Sequence, residues 1–282
     1  MKVSLICCGR LENRYAIEFV EYYQQLGFDH IYIADNNHDN EEYFEDVLQF
    51  YINNNFVTIY NYRNLEAIQW YAYAEIYNKI NNKYDYIFFC DFDEYLTLVK
   101  DNNIKDYLSR NCFNNYNQIL INWKIYSDND LIYDDGRKCL NRFTSESKYS
   151  GWKCGLVKQF LKSNIKDIYL LPYTVHMFTD NNLVLEKTSC NNCGESVKLH
   201  KAGVIYPNYE LAYIKHFTTK TIDEYVNVKL KRGTADMSYN AFNQKNKNDI
   251  VNDFFEINNK TQEKINYFIK HNILVSDEIQ NQ

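Results

Sequence analysis

Three carboxylates stand within four positions of the sequence, at Asp91, Asp93 and Glu94, directly after the apolar run Tyr86–Cys90. Such a run is typical of a strand that is buried on both faces of a parallel sheet. In an open α/β sheet, ligands bind beyond the carboxyl ends of the strands. Carboxylate oxygens are the ligands that hard divalent cations prefer, so the spacing predicts a metal-dependent nucleotide or phosphate site. A strand that ends in a solvated acidic turn is the alternative that this stretch alone leaves open.

Strands and helices alternate regularly in the first hundred residues. The apolar spacing predicts strands at 2–8, 30–34 and 56–60 and helices at 12–26, 41–52 and 65–80. Together with the strand before Asp91, this order implies a parallel sheet with right-handed crossovers. The second strand ends on Asp35, so we expect this carboxylate at the same sheet edge as Asp91 and Asp93. Further on, the predicted elements are strands at 118–125, 156–162 and 212–217 and a helix at 221–232.

The overall composition narrows the class of protein. The chain has 282 residues, 45% of them hydrophobic, which is enough to bury a large core in one α/β domain. Its net charge of -6 argues against a dedicated nucleic-acid binder, because such proteins carry a basic face. No apolar run approaches the roughly 20 residues of a membrane span, and no signal peptide precedes the first strand. We therefore expect a soluble protein of the cytoplasm.

Two common nucleotide-binding motifs are absent from the sequence. It has neither G-x-G-x-x-G nor a P-loop, which argues against a dinucleotide dehydrogenase and against a P-loop NTPase. Without such a glycine-rich cradle, any bound phosphates must be held chiefly by a metal ion. The pair Cys190 and Cys193 has no second pair and no neighbouring His, so it does not complete a zinc site.

Four parts of the chain resemble signatures of GT-A glycosyltransferases near family 92 and the related family-2-like bacterial and viral enzymes. Asp91–Tyr95 resembles their D-x-D-E-[FY] signature, and Asp35–Asp39 resembles the D-N-x-S-x-D after their second strand. The other likenesses are Arg10–Tyr23 with Leu26–Ile33, similar to K-N-E-x-x-Y-x-x-E-W-x-x-Y and L-G-x-D-x-I-x-I, and Lys215–Lys220 with Lys231–Asp236, similar to H-Y-x-x-[KR]-S and R-G-x-A. Two positions depart from these patterns, since Leu11 replaces the usual Asn and His38 the usual Ser.

The resemblance implies a fold and a reaction. The implied fold is α/β, a GT-A domain whose Rossmann-like, mostly parallel sheet is flanked by helices and followed by an irregular acceptor-side portion and C-terminal helices. The implied reaction is the metal-dependent transfer of a hexose from a nucleotide sugar, UDP-linked, to a glycan, a glycoconjugate or another hydroxyl acceptor, with inversion. The implied boundaries are 1–100 for the nucleotide-sugar half, 101–240 for the acceptor half and 241–282 for a helical extension.

The resemblance also assigns roles to individual residues. Asp93 and the late His216 would bind Mn²⁺ or Mg²⁺, with Asp91 reaching either the metal or the ribose. An imidazole ligand moves the preference towards Mn²⁺, whereas a packed core histidine is the structural alternative for His216. Glu12 is equally suited to be an acid at a helix N-terminus. The residues expected at the nucleotide sugar are Cys8, Arg10, Glu12, Asp35, Asp91 and Arg232.

An inverting transfer also needs a general base that takes the proton of the acceptor hydroxyl. Asp128 and Asp130 follow the predicted strand at 118–125, on the side where the acceptor is expected, and they are the candidates. A loop that is merely polar is the alternative reading of these acids.

Two other functions remain open at this point. A nucleotidyltransferase of Rossmann-like fold also uses acid-bound Mg²⁺, but it usually has a glycine-rich basic loop after strand one, of which Cys7–Arg10 shows only a trace. A non-catalytic sugar-binding module is the other possibility. Such a module has no need to keep Asp91, Asp93 and His216 together, and the sequence has all three.

Overall fold

The computed structural model describes residues 1–163, 165, 168–170, 176–180, 187–200, 203–204, 206–233 and 246–274. The fold is α/β, as the sequence predicts, with a nine-stranded sheet flanked by helices. The strands are β1 (Val3–Gly9), β2 (His30–Asp35), β3 (Val57–Asn61), β4 (Tyr86–Phe89), β5 (Glu94–Leu98), β6 (Gln118–Ile125), β7 (Val157–Lys162), β8 (Ile168–Leu170), β9 (Phe178–Asp180), β10 (Ser189–Cys190), β11 (Leu199–His200), β12 (Gly203–Val204) and β13 (Ala212–His216).

The described helices are mostly short, and one α-helix contains a π-helical segment. The α-helices are α1 (Asn13–Gln25), α2 (Glu45–Asn53), α3 (Gln69–Ile80), α4 (Ile104–Leu108), α5 (Cys139–Arg142), α7 (Lys247–Phe255) and α8 (Gln262–Lys270). Between α5 and α7 lies α6, which is α-helical over Ile222–Glu224, π-helical over Tyr225–Lys229 and α-helical again over Leu230–Arg232. Two 3₁₀-helices cover Asn111–Phe113 and Trp152–Gly155. None of the described helices combines the length and the apolarity needed to cross a membrane.

The first four strands form a parallel unit in the order β3-β2-β1-β4. All seven residues of β1 are buried, because helices cover both faces of the sheet. Leu5 and Cys7 face the core that α1 and α2 cover, while Ile6 and Cys8 face the core that α3 covers. Burial on both faces explains why these strands are continuous apolar runs in the sequence.

The other half of the sheet is mixed rather than mostly parallel. β7 lies antiparallel between β4 and β6, and β13 lies between β6, which is parallel to it, and β5, which is antiparallel. The stretch that carries Asp91 and Asp93 holds two strands, β4 and β5, with both acids in the turn between them. The pairing of β5 with β13 places Glu94 directly opposite His216.

The C-terminal helices pack on α6. Ile222 of α6 is completely buried in an apolar cluster with Phe254 of α7 and Phe268 of α8. The predicted boundary between residues 240 and 241 lies outside the described residues. So do residues 234–236, which end the closing signature in the sequence.

Candidate functional site

A cavity of about 380 Å³ lies at the carboxyl ends of β1 and β4, and its volume is typical of small-molecule sites. The ends of β13 and α6, the loop after β2 and the segment before α3 also contribute to its wall. Seven of the predicted site residues line it: Cys8, Arg10, Glu12, Asp91, Asp93, His216 and Arg232. The fold therefore brings together residues as far apart in the sequence as Arg10 and Arg232, which exchange two hydrogen bonds.

Phe92 anchors the turn between β4 and β5. Phe92 stands between Asp91 and Asp93 in the sequence, and its side chain is buried in the core. Its ring stacks on that of Phe44, with the centroids 5.2 Å apart. Gly9 makes room for this ring, since a Cβ at Gly9 would lie 2.6 Å from the nearest ring atom. With Phe92 held in the core, Asp91 and Asp93 on either side of it both line the cavity.

The carboxylate of Asp91 accepts hydrogen bonds from three side chains. Lys158 Nζ lies 2.7 Å from Oδ2, while Gln69 Nε2 and Tyr73 Oη lie 2.5 and 3.0 Å from Oδ1. The Asp91 N–H donates to Oε2 of Glu94 at 2.9 Å. The Lys158 side chain is completely buried, and although burial disfavours its charge, Asp91 and Glu94 raise the pKa of Lys158 above its usual value. These hydrogen bonds thus fix the orientation of the Asp91 carboxylate, and Asp91 also lines the cavity.

Asp93, Glu94 and His216 form a group with the composition of a metal site. Each offers one ligand atom, and these atoms all lie within 4.8 Å of one another. His216 Nε2 is 3.6 Å from Asp93 Oδ1. The ring of Trp123 packs on that of His216, with the centroids 4.1 Å apart, and limits its orientation. The predicted metal set shares Asp93 and His216 with this group, which contains Glu94 where the prediction has Asp91.

The protonation states of Asp93 and His216 suit a cation. Burial opposes the ionisation of Asp93, but His216 and Lys229 hold the pKa of Asp93 well below its usual value. Burial also lowers the pKa of His216, against the attraction of Asp93, so the imidazole is neutral at pH 7. A metal binds carboxylates that are ionised and imidazoles that are neutral. Glu94 differs, because burial raises its pKa well above the usual value.

Basic side chains line the same cavity as these acids. Arg10 pairs with Glu41 at 2.6 Å, and Arg232 pairs with Glu12. Lys229 Nζ donates to the carbonyl and hydroxyl oxygens of Thr218 and lies 4.0 Å from Asp93 Oδ2. Burial lowers the pKa of Lys229 to about 8, against the attraction of Asp93, so the ammonium keeps its proton at pH 7. The cavity therefore combines acids and bases in a way that suits an anionic ligand with a cation.

Asp35 is not among the described residues that line the cavity. Its carboxylate is buried, pairs with Arg63 at 2.5 Å and accepts two hydrogen bonds from Asn37. Asn37 Oδ1 in turn accepts the N–H of Leu11 at 2.8 Å. The structure therefore places Asp35 behind the loop that carries Arg10, one layer away from the cavity.

Asp128 and Asp130 are not among the described residues of the cavity wall either. Both pair with Lys264 of α8, at 2.7 and 2.8 Å. Asp128 is buried, and its N–H donates to Asn258 at 2.7 Å. These acids fasten the C-terminal helices to the loop after β6, and this placement lends no support to the predicted role of general base.

Two residues of the site carried no strong signal in the sequence. No local motif in the sequence marks Lys158 as a site residue, and its partner Asp91 is 67 positions away. Lys229 precedes the predicted Arg232 by three positions, and residues three apart share one side of an α-helix. That spacing is the signal by which Lys229 could have been found.

Comparison with known proteins places these features in a family. The model of glycosyltransferase family 92 matches residues 6–154, more than half of the 282 residues. No curated protein matches the sequence. Among solved structures, S. aureus TarS 1–349 in complex with UDP-GlcNAc is 11% identical, with 99% of this chain and 78% of that chain covered and a TM-score of 0.44.

Two further structures match with a smaller share of their own length. A longer S. aureus TarS structure is 13% identical, with 90% of this chain and 43% of that chain covered and a TM-score of 0.43. The mannosyltransferase PcManGT from Pyrobaculum calidifontis, in complex with GDP-Man and Mn²⁺, is 9% identical, with 43% and 35% covered and a TM-score of 0.31. This chain thus spans less than half of either protein, and at such scores the likenesses establish no donor, metal or reaction for it.

The family match includes α1, β2, the Asp35 loop and the acidic turn, which are the parts that carry three of the four sequence signatures. The fourth signature, with His216 and Arg232, lies beyond the matched range but faces the same cavity. Since the match extends over more than half of the sequence, the chain belongs to glycosyltransferase family 92.

Proposed function

We propose that this chain transfers a hexose from a nucleotide sugar, UDP-linked, to a hydroxyl group of a glycan or glycoconjugate, with inversion and with Mn²⁺ or Mg²⁺. The observation that carries the proposal is the group formed by Asp93, Glu94 and His216 at a cavity that basic side chains also line. A nucleoside diphosphate with a divalent cation matches this distribution of charge. Membership of the family supports the same chemistry, and the resemblance favours UDP.

The reaction has one bond formed and one broken. The acceptor oxygen forms a bond to the anomeric carbon, the bond from that carbon to the diphosphate oxygen breaks, and its electron pair leaves with the nucleoside diphosphate. The proton of the acceptor hydroxyl passes to a base. Negative charge therefore grows on the diphosphate, and groups that are already oriented towards that charge lower the barrier most. A bound divalent cation supplies Lewis-acid stabilisation of these oxygens.

The residues present fit a divalent cation. Glu94 Oε1 is a buried atom for which the described part of the chain provides no hydrogen-bond partner. A buried polar atom without a partner is costly, and a cation would remove that cost. In the proposal, Asp93 and His216 would hold the metal, and Glu94 would complete the protein ligands by releasing its proton when the cation binds. Asp91, fixed by Lys158, contacts the ribose, which is one of the two roles that the sequence predicts for it.

The other residues predicted at the nucleotide sugar also have roles in the proposal. For Asp35 the role is indirect, and the predicted general base is left unassigned. Arg232 and Arg10 face the diphosphate, Glu12 positions Arg232 through their ion pair, and Cys8 lies in the wall near the nucleotide. Asp35 acts indirectly, by holding Arg63 and the loop of Arg10. The base is not assigned to Asp128 or Asp130, because both pair with Lys264.

A thermal-shift screen of nucleotide sugars, with and without Mn²⁺, tests the proposal. A donor at 100 times its Kd adds about 2.7 kcal/mol to the free energy of unfolding, which raises Tm by several degrees. We expect a UDP-sugar to raise Tm only with metal, and Asp93→Asn to abolish the shift. Asp106→Asn, which removes an exposed carboxylate on α4, is the matched control.

Turnover then separates the rival functions. The stabilising donor should be consumed with release of the nucleoside diphosphate when glycan acceptors are added. Release of pyrophosphate from a nucleoside triphosphate and a sugar phosphate would instead identify a nucleotidyltransferase. A donor that binds and is never consumed, with any acceptor or with water, would favour a sugar-binding module, and no shift with any donor would reject the proposal.

A further inference from the structure

The π-helical turn in α6 changes which side chains of this helix face the cavity. In a continuous α-helix, residue 229 would follow Ile222 by seven positions and lie within about 20° of the same direction. Ile222 is completely buried in the apolar cluster with α7 and α8. An uninterrupted helix would therefore direct Lys229 into that cluster, where an ammonium group is costly.

The extra residue of the π-turn removes this conflict. Leu230, eight positions after Ile222, packs against the apolar cluster, and Lys229 lines the cavity instead. Single π-turns within helices occur frequently at functional sites, because they redirect side chains at some cost in helix stability. The structural effect of the π-turn here is that the Lys229 ammonium lies at the cavity.

The surroundings of Lys229 hold it ready for an anion. Its Nζ is fixed by both oxygens of Thr218, and the side chain is 23% exposed. The nearest carboxylate is that of Asp93 at 4.0 Å, a weak contact for an ion pair. Arg232, one helical turn further on, faces the same cavity but is engaged by Glu12. Lys231 also lines the cavity, but it is exposed and donates to Asn227. Lys229 is thus the half-buried cation of α6 at the cavity that no carboxylate engages at short distance among the described residues.

From this geometry we infer that Lys229 is a further catalytic residue, which donates hydrogen bonds to the diphosphate of the bound donor next to the Asp93–His216 group. The inference rests on the proposed function and adds a named donor to it. The Lys229 side chain donates to non-bridging oxygens and so stabilises the charge on the departing diphosphate. The π-turn is the structural feature that makes this contact possible.

The test is diphosphate binding by the full chain, measured calorimetrically at saturating Mg²⁺ with inorganic pyrophosphate and with UDP as probes. A hydrogen bond to a charged group contributes about 1.5–3 kcal/mol, so Lys229→Met should weaken both probes roughly 10- to 100-fold. Lys229→Arg, which retains the charge and the donors, should restore most of this loss. Lys162→Met is the matched control, because Lys162, like Lys229, donates to two oxygen atoms, here the carbonyls of Phe113 and Asn114, but lies on β7 away from the cavity.

Circular dichroism and urea unfolding establish that each variant is folded before binding is compared. If Lys229→Met binds pyrophosphate and UDP as tightly as the wild type, the inference is overturned and the proposed function stands. If Lys229→Met changes only the affinity for Mg²⁺ alone, Lys229 is a counter-ion of Asp93 and the inference is again overturned. If the wild type binds neither pyrophosphate nor any nucleoside diphosphate, the proposed function fails together with the inference.

Discussion

The ammonium of Lys158 lies 2.7 Å from the carboxylate of Asp91 and 3.6 Å from that of Glu94, with no exposed surface on its own side chain. Removal of one partner from a buried ion pair typically costs 3–5 kcal/mol, since the other charge stays buried without compensation. We expect Lys158→Met to lower the free energy of unfolding by about 3 kcal/mol in urea titrations. Lys79→Met, which breaks an exposed pair with Glu75, should change it by less than about 0.5 kcal/mol. Equal stabilities for the two variants would contradict this account of Asp91.

The pairs with Lys264 predict that Asp130 is dispensable for catalysis. Asp130 is half exposed and contacts Lys264 and Asn259 at the surface, so Asp130→Asn should keep turnover within about twofold of the wild type. Loss of a general base would lower turnover by about 10²- to 10⁴-fold. Asp128→Asn should lower Tm, since Asp128 is buried against Lys264, while turnover per folded molecule stays near normal. A loss of two orders of magnitude in either variant, measured well below Tm, would restore that residue as the base.

Glu224 should make the stability depend on acid pH. Its carboxylate accepts hydrogen bonds from Arg142 at 2.9 and 3.0 Å and from Thr221 and Tyr15. Burial alone would raise the pKa of Glu224, but the bonds from Arg142 and Tyr15, with the charge of Lys220, lower it to about 2. In the unfolded chain the pKa is about 4.3. A depressed native pKa stabilises the fold above the unfolded value, and this stabilisation is lost as pH falls through the native value.

Urea unfolding of the wild type and of Glu224→Gln over a range of pH measures this contribution. The wild type should be more stable by about 2–3 kcal/mol at pH 7. The difference should shrink between about pH 4.5 and pH 2, because protonation then removes the charge of Glu224 in the native state. The comparison cancels the other acids, which titrate in both proteins. A difference that stays constant over this range would show that ionisation of Glu224 does not stabilise the fold.

Leu11 occupies a backbone conformation that leucine disfavours. Its φ is 55°, in the left-handed region, where side chains other than Asn, Asp and Gly cost roughly 1–2 kcal/mol. The family signature has Asn at this position, which tolerates such a φ. Leu11→Asn should therefore raise the free energy of unfolding by about 0.5–1 kcal/mol. Leu65→Asn, a change of the same kind at a residue that is 49% exposed, is the control and should alter stability little.

The first half of the fold was predictable because its signals are local. β1 to β4 are apolar runs separated by amphipathic helices, and the acids at Asp91 and Asp93 stand in the sequence next to the strand that positions them. The family signatures added His216 and Arg232, which no local pattern would have joined to the same site. Seven predicted residues accordingly line one cavity.

Partners that are distant in the sequence determine the surroundings of the other predicted residues. Asp128 and Asp130 were expected near the acceptor because they follow a strand, but Lys264, more than 130 positions later, pairs with both. Asp35 resembles a nucleotide contact until Arg63 is seen to pair with it. The π-turn could not be recognised from the sequence, because Leu230 follows Val226 by four positions and an ordinary α-helix produces the same spacing.

The pairing of Glu94 with His216 has a consequence for how the chain matures. The two residues belong to strands that lie more than a hundred positions apart, and contacts of this kind form late in folding. A slip of one residue in that pairing would turn His216 to the opposite face of the sheet. A chain that ends before β13 would still carry Asp93 and Glu94 and lack the imidazole. Affinity for a divalent cation at the proposed site would therefore be a measure of correct folding, since it requires β13 to be paired with β5 in the native register.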